Sequence, residues 1–342
     1  MKNKKILLVD VDSKIPNLAL MKLSTYYNKL HYKVDFLKLN FSGIPSRGSE
    51  FHFIQGYYYD RVFISIIFPK NWKKVYVMNC DKVIYGGTGS NDIKKKLPDT
   101  IENCDCDYSL YPDNDTSYGF MTRGCIRNCY FCFVPEKEGK LKFVNKWQDL
   151  LKHDKISFLD NNFLAYKKHL KILKELVRNK IKCDFNQGLD IRLINDDNAK
   201  WLSRLRYNNS EFIFAFDHLK DKKLISKKLK VLKKYITKKR GPYRIKFFIY
   251  VHPDMPIEDP IARLKWCKKN EVLPYVMRDN SCWNSKHKQF YTLLAGYCNF
   301  ARYFKKYSFE EYINKFRTKG NKKIKKEYKF YIKKWNKVKV NF

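Results

Sequence analysis

Short apolar runs recur along nearly the whole of this chain, separated by longer amphipathic stretches. Runs of that length, bounded by polar turns, read as buried strands, and strands alternating with helical stretches predict parallel sheets covered by helices. In the first hundred residues, segments 5–10, 33–37, 61–67 and 82–85 read as strands and 17–30 as a helix. That pattern predicts an N-terminal Rossmann-like parallel sheet. Segment 97–118 is polar and broken by Pro98 and Pro112, and beyond it a second alternation begins. Strands are expected at 156–159, 183–185, 212–216, 245–251 and 272–277, with helices near 166–178, 196–206, 222–235 and 260–269. With the strand that precedes residue 125, these make six β-α units. Six are too few for a closed eight-stranded barrel, so the expectation is a partial (β/α)6 TIM-type barrel. The expected domains are 1–112, 113–284 and a basic helical C-terminal extension, 285–342.

Composition narrows the class. The hydrophobic fraction of 44% and aromatic fraction of 16% in 342 residues describe a folded chain with material for two cores. No apolar run approaches the ~18 residues of a membrane span, and the run at 6–9 is too short for a secretory signal, so a cytoplasmic protein without membrane contact is expected. Ten cysteines are then thiols or metal ligands rather than a disulfide framework. The net charge of +37, from 71 Lys and Arg against 34 Asp and Glu, suits an RNA or DNA partner. It is also what a lysine-rich composition spread along the whole chain produces without any partner.

The most specific chemistry sits at Gly119-Phe120-Met121-Thr122-Arg123-Gly124-Cys125-Ile126-Arg127-Asn128-Cys129-Tyr130-Phe131-Cys132. Three thiols at spacings of three and two intervening residues reach one face of an iron-sulfur cube, and a fourth iron is left for a small molecule, whereas closed structural sites use four protein ligands. A zinc knuckle completed by Cys104 or Cys106 is the other metal reading. The spacing, with aromatic Phe131 just before the last cysteine, resembles the signature of the radical S-adenosylmethionine (radical SAM) superfamily. The resemblance implies a 4Fe-4S cluster on Cys125, Cys129 and Cys132, with S-adenosylmethionine at the open iron. It further implies reductive cleavage to a 5'-deoxyadenosyl radical that takes hydrogen from a substrate, and a one-electron donor such as a flavodoxin or ferredoxin.

The same resemblance places cofactor contacts at the strand ends. Asp160 and Asn161 stand where the family recognises the amino group of S-adenosylmethionine; Asp and Asn are also favoured as helix caps. The loop Asn186-Gln187-Gly188-Leu189-Asp190-Ile191-Arg192 gathers Gln187, Asp190 and Arg192, the arginine free either to pair with Asp190 or to meet a ligand carboxylate. Asp217 with His218 follows the fourth strand, and His252 with Asp254 the fifth. Met277, with Arg278 and Asp279, ends the sixth, where the adenine lies in the family.

The first domain resembles the cobalamin-binding type that precedes some radical SAM cores, yet the Asp-x-His-x-x-Gly element is replaced by Asp12-Ser13-Lys14-Ile15-Pro16-Asn17. Bound cobalamin would imply methyl transfer. Gly86-Gly87-Thr88-Gly89 reads either as a tight turn or as a cradle for a phosphate. Aromatics such as Tyr130, Trp201 and Trp283 suit stacking on a nucleic-acid base or nucleoside substrate. The rival class is a non-catalytic, metal-binding nucleic-acid module.

Overall fold

The computed structural model describes residues 4–39, 52–208, 212–317 and 322–339, and the side chains among them except those of 237–240 and 322–324. Lys322 and Lys323 of the basic C-terminal extension thus lie outside the described side chains. The chain forms two compact units, 1–119 with 127–140, and 120–126 with 141–342. The segment 285–342 clusters with the second.

The first unit is built on β1 (Lys5–Asp10), α1 (Leu18–Lys29), β2 (Lys33–Lys38), β3 (His52–Gln55), β4 (Arg61–Ser65), β5 (Val75–Met78) and β6 (Val83–Gly86). The order β2-β1-β4-β6 is parallel throughout. β1 reads Lys-Ile-Leu-Leu-Val-Asp because it is central and buried on both faces. Ile6 and Leu8 join Leu20, Leu23 and Tyr27 of α1 on one side. Leu7 and Val9 join Val62, Ile64 and Val75 on the other.

The expected helical crossovers are only partly present. A two-stranded parallel sheet, β3 with β5, packs Val75 and the partly buried Ile54 and Val77 onto the face opposite α1. The alternation in those strands is weak because Phe53, Tyr76 and Met78 are exposed, which is why the periodicity did not reveal them. The unit also holds α2 (Asp99–Glu102), β7 (Ser117–Gly119) and α3 (Val134–Lys137). Segment 127–140 is tied to it by Lys137 Nζ donating to Ile93 O at 3.0 Å and a Lys94–Glu136 ion pair at 3.1 Å.

Gly87 decides between the two readings of its turn. Its φ of +95° is left-handed, and a Cβ there would lie 2.1 Å from Ile66 O; at Gly89 a Cβ would lie 2.6 Å from the carbonyl carbon of Phe68. The glycines let two backbones touch. This is a packed turn.

The second unit begins with β8 (Thr122–Arg123) and β9 (Lys142–Phe143), then α4 (Trp147–Leu150), β10 (Lys155–Phe158), α5 (His169–Arg178), β11 (Lys182–Phe185), α6 (Asp196–Leu202), β12 (Arg206–Tyr207) and β13 (Phe212–Ala215). It continues with α7 (Lys222–Arg240), β14 (Ile245–Val251), α8 (Glu258–Lys269), β15 (Leu273–Arg278), α9 (Lys288–Cys298), α10 (Ala301–Lys306), α11 (Phe309–Phe316) and α12 (Lys322–Lys337). β10, β11 and β12 pair in parallel, as do β13, β14 and β15. One parallel bridge, Leu189 to Phe214, joins the two sets.

Strand and helix positions follow the alternation closely, with two corrections. Helix α6 stops at Leu202, and of the residues assigned beyond it Arg206 enters β12. The basic helical extension is packed rather than fully solvated: Tyr331 and Trp335 of α12 are buried in the core shared with α8, α9 and α11. Trp335 stacks on Phe309 with ring centroids 4.4 Å apart, an apolar contact that outweighs the charge on the helix's other face.

Candidate functional site

The cysteine loop is closed at its base by a short clasp. Thr122 and Arg123 pair antiparallel with Phe143 and Lys142, Val144 N donates to Met121 O at 2.8 Å, and Gly124 turns the chain with φ +82° immediately before Cys125. The strand expected before residue 125 is β7 (Ser117–Gly119), and the antiparallel β8–β9 rung follows it. Cys132 N donates to Cys129 O at 2.9 Å, turning the chain between the last two cysteines. Phe131 is half-buried and meets the exposed Tyr130 edge to face at 5.3 Å.

The three residues after β10 hold this segment one after another. Asp160, 2% exposed, accepts from Met121 N at 3.1 Å and from Thr122 N and Thr122 Oγ1, both at 2.6 Å. Asn161 Oδ1 accepts from Gly124 N at 3.0 Å. Asn162 Nδ2 donates to Cys125 Sγ at 3.3 Å. Asp160 is therefore neither a helix cap nor an exposed carboxylate for an ammonium group. Both its oxygens are spent inside the protein, and burial pushes its carboxyl up to about 6 against the pull of the Thr122 and Met121 donors.

Asn162, which the sequence reading did not single out, is the residue that meets the Cys125 thiol. It is 3% exposed, and its Oδ1 is buried with no hydrogen-bond partner. A buried amide oxygen left unpaired costs roughly 1–3 kcal/mol. The only sequence signal was its place in the polar triplet Asp160-Asn161-Asn162.

The loop after β11 is likewise self-contained. Gly188 turns with φ +83°, and Asp190 accepts from Arg192 N at 3.1 Å as it opens a short helical turn. Arg192 Nε lies 2.7 Å and Nη2 3.2 Å from the two Asp190 oxygens, while Nη1 reaches Asp221 at 3.1 Å. The pairing alternative holds for Arg192, and a ligand carboxylate would have to compete with two aspartates. Gln187 is exposed.

Asp217 is half-buried and accepts from Tyr250 N at 3.3 Å. Burial pushes its carboxyl up, opposed by that hydrogen bond and by the Arg263 guanidinium. Arg263, fully buried, ties β13 and β14 to α8 by donating to Phe216 O and Tyr250 O, both at 2.9 Å, and to Asp259. Nothing in the sequence set this arginine apart. His252 is flanked by Asp254 at 3.4 Å and Asp279 at 3.7 Å, and Tyr250 OH fixes Asp279 at 2.8 Å. Met277, 44% exposed, shares an open sheet face with Tyr275.

The structure brings Asp160 and Asn161 onto the cysteine segment and Asp190 onto Arg192. Among the described residues no three His, Cys, Asp or Glu side chains lie close enough together to hold a metal ion. The donor chemistry nonetheless suits a thiophilic cluster. Cys125, Cys129 and Cys132 are half-exposed thiols on one loop, and an amide N–H already points at one sulfur, as second-layer groups do around metal-bound thiolates. Ligands seldom converge fully before the metal arrives. Burial by contrast raises the thiols of Cys183, Cys267 and Cys298 well above the ordinary range and that of Cys282 to about 11, so these four are inert core groups.

In the first unit Asp12 is buried and accepts from Ile67 N, Phe68 N and Asn71 Nδ2 at 2.7 to 3.0 Å. Asp10 takes Tyr111 OH at 2.8 Å, and Asn17 Nδ2 binds Ser13 and Ser65. The loop that would carry a cobalamin ligand offers no histidine and is closed by its own hydrogen bonds. The residues present do not fit that cofactor. No known family model matches this chain, and no curated protein matches it.

Proposed function

We propose that this chain is a radical SAM enzyme in which Cys125, Cys129 and Cys132 hold a 4Fe-4S cluster and the β-α units of the second unit form a partial barrel around S-adenosylmethionine and substrate. The observation that carries the reading is the three-cysteine loop with its backbone fixed by Asp160 and Asn161 and its first sulfur met by Asn162. When bound, the cluster would supply a single low-potential electron to S-adenosylmethionine, yielding a 5'-deoxyadenosyl radical that abstracts hydrogen.

The chain's own part is to bind, orient and exclude water. Asp160 and Thr122 fix the register of the loop, and Asn162 orients Cys125 while offering Oδ1 to a donor on the ligand. Met277 and Tyr275 present apolar surface where an all-parallel sheet would otherwise be covered. The partial barrel is supported by the parallel registers of β10–β12 and β13–β15 and the Leu189–Phe214 bridge. The cationic chain and its exposed rings favour a nucleic-acid base or nucleoside as substrate, with a flavodoxin or ferredoxin as reductant in the cytoplasm. No described helix is long and apolar enough to cross a membrane.

The test is anaerobic reconstitution with iron and sulfide, followed by metal and sulfide analysis and low-temperature electron paramagnetic resonance. Four irons and four sulfides per chain, with a reduced signal that changes when S-adenosylmethionine is added, are expected. A colourless protein that takes up zinc and gives no such signal would favour a metal-binding nucleic-acid module instead.

A further inference from the structure

Helix α12 has two faces with opposite character. Tyr331 and Trp335 anchor it in the core. Away from that anchor, Lys325, Lys329, Lys333 and Lys337 recur every fourth residue, and all four are exposed. At 1.5 Å per residue the row spans about 18 Å. None of the four has an acidic partner among the described residues. Of the neighbouring acids, Glu327 accepts from Tyr331 and Glu258 from Lys334, while Glu310, held by Asn336, places one carboxylate in the groove against three lysines.

Like charges four residues apart weaken a helix. The row therefore persists because Tyr331 and Trp335 are buried, not because its charges are matched. Lys329, Lys333 and Lys337 line an open groove of about 640 Å³ between α11 and α12, completed by Glu310, Asn314, Ile332 and Asn336. Phe330, 45% exposed, stands beside the row.

We propose that this groove binds the phosphate backbone of a single-stranded nucleic acid. A line of cations one helix wide matches a linear polyanion. A small anion would need one or two of these lysines, and a lipid surface would engage a broad face rather than a groove. Phe330 offers a ring on which a base can stack. The inference deepens the nucleic-acid reading of the substrate, but it rests on α12 alone and is tested without the cluster, so the two can fail separately.

The experiment is fluorescence anisotropy of the full chain with a labelled twelve-nucleotide oligothymidylate, titrated between about 50 and 200 mM salt. Replacing Lys325, Lys329, Lys333 and Lys337 by Gln is expected to weaken binding at least tenfold. The log-log salt slope should fall by about 3, since each phosphate contact on a single strand contributes ~0.7. The control replaces four exposed lysines of α7, Lys223, Lys227, Lys230 and Lys234, by Gln and should leave affinity within about twofold, as expected of charges outside the contact. Should the fourfold variant fail to fold by circular dichroism, Lys333→Gln alone carries the test, with a slope change of about 0.7. Equal losses in the α7 and α12 variants would reduce the effect to net charge and overturn the proposal. So would wild-type protein that binds anionic phosphatidylserine vesicles but not the oligonucleotide.

Discussion

Two strand ends in this protein use the same device to different ends. After β1, buried Asp12 accepts three donors from the loop at 67–71. After β10, buried Asp160 accepts three donors from residues 121–122. Both carboxylates pin a neighbouring segment, and a sequence reading gives each the look of a ligand-binding aspartate. They differ in what lies next to them. The first loop spends its polar groups internally and seals against Gly87 and Gly89, whereas the second leaves Asn162 Oδ1 unpaired beside a thiol. A strand end becomes a site when polar capacity is left over after the fold has been satisfied.

The largest effect that would break this contrast comes from deleting the pin. Asp160→Ala leaves two amides and a hydroxyl unpaired in a buried place and is expected to cost about 3–5 kcal/mol in urea unfolding, with loss of iron binding. Asp12→Ala should cost a comparable amount while the purified folded fraction still takes up iron. Equal loss of iron in both variants would show that the two loops are not functionally distinct.

The pH dependence sharpens the same point. Asp160 titrates near 6 in the folded protein against an ordinary 3.8, so its contribution to stability is fully present below about 3.8 and is lost as pH rises through 6. That difference corresponds to about 3 kcal/mol. In metal-free protein, wild type should lose this much relative to Asp160→Asn between pH 4 and 7. A pH-independent difference would mean that the Thr122 and Met121 donors, not burial, govern the carboxyl.

Asn162→Leu keeps the branching of the side chain and removes both the N–H aimed at Cys125 and the orphaned oxygen. Iron retention under a chelator challenge should weaken by roughly 10–100-fold, the usual cost of losing an outer-layer partner, with thermal stability nearly unchanged. Unaltered retention would assign Asn162 to packing. Gly87→Ala is the smallest of these perturbations for the site: the clash of its Cβ with Ile66 O adds to about 1–3 kcal/mol of left-handed strain, read by unfolding, with iron content unaffected.

The alternation of apolar runs was enough to place β1, β10, β11, β14 and β15 within a residue or so, because strands buried on both faces leave a continuous hydrophobic signature. It missed β3 and β5, whose outward residues Phe53, Tyr76 and Met78 are themselves apolar and blur the period of two. The cysteine loop was legible from spacing. Its supports were not: a buried aspartate that caps a helix, binds a ligand or clamps a distant strand looks the same in one dimension, and only the fold shows Asp160 reaching residues 121 and 122. The Arg192–Asp221 contact and the role of Arg263 were opaque for the same reason, since Asp221 and Phe216 O are brought near by packing rather than by sequence, whereas the Arg192–Asp190 pair was legible.

The central claim is that the thiols of the loop serve redox cleavage of S-adenosylmethionine. The direct measurement is 5'-deoxyadenosine released by anaerobically reconstituted, reduced protein, wild type against Cys125→Ala. Release by wild type that vanishes in the variant is the predicted result. Iron-loaded, reduced wild type that releases none, or a variant that releases as much as wild type, would contradict it.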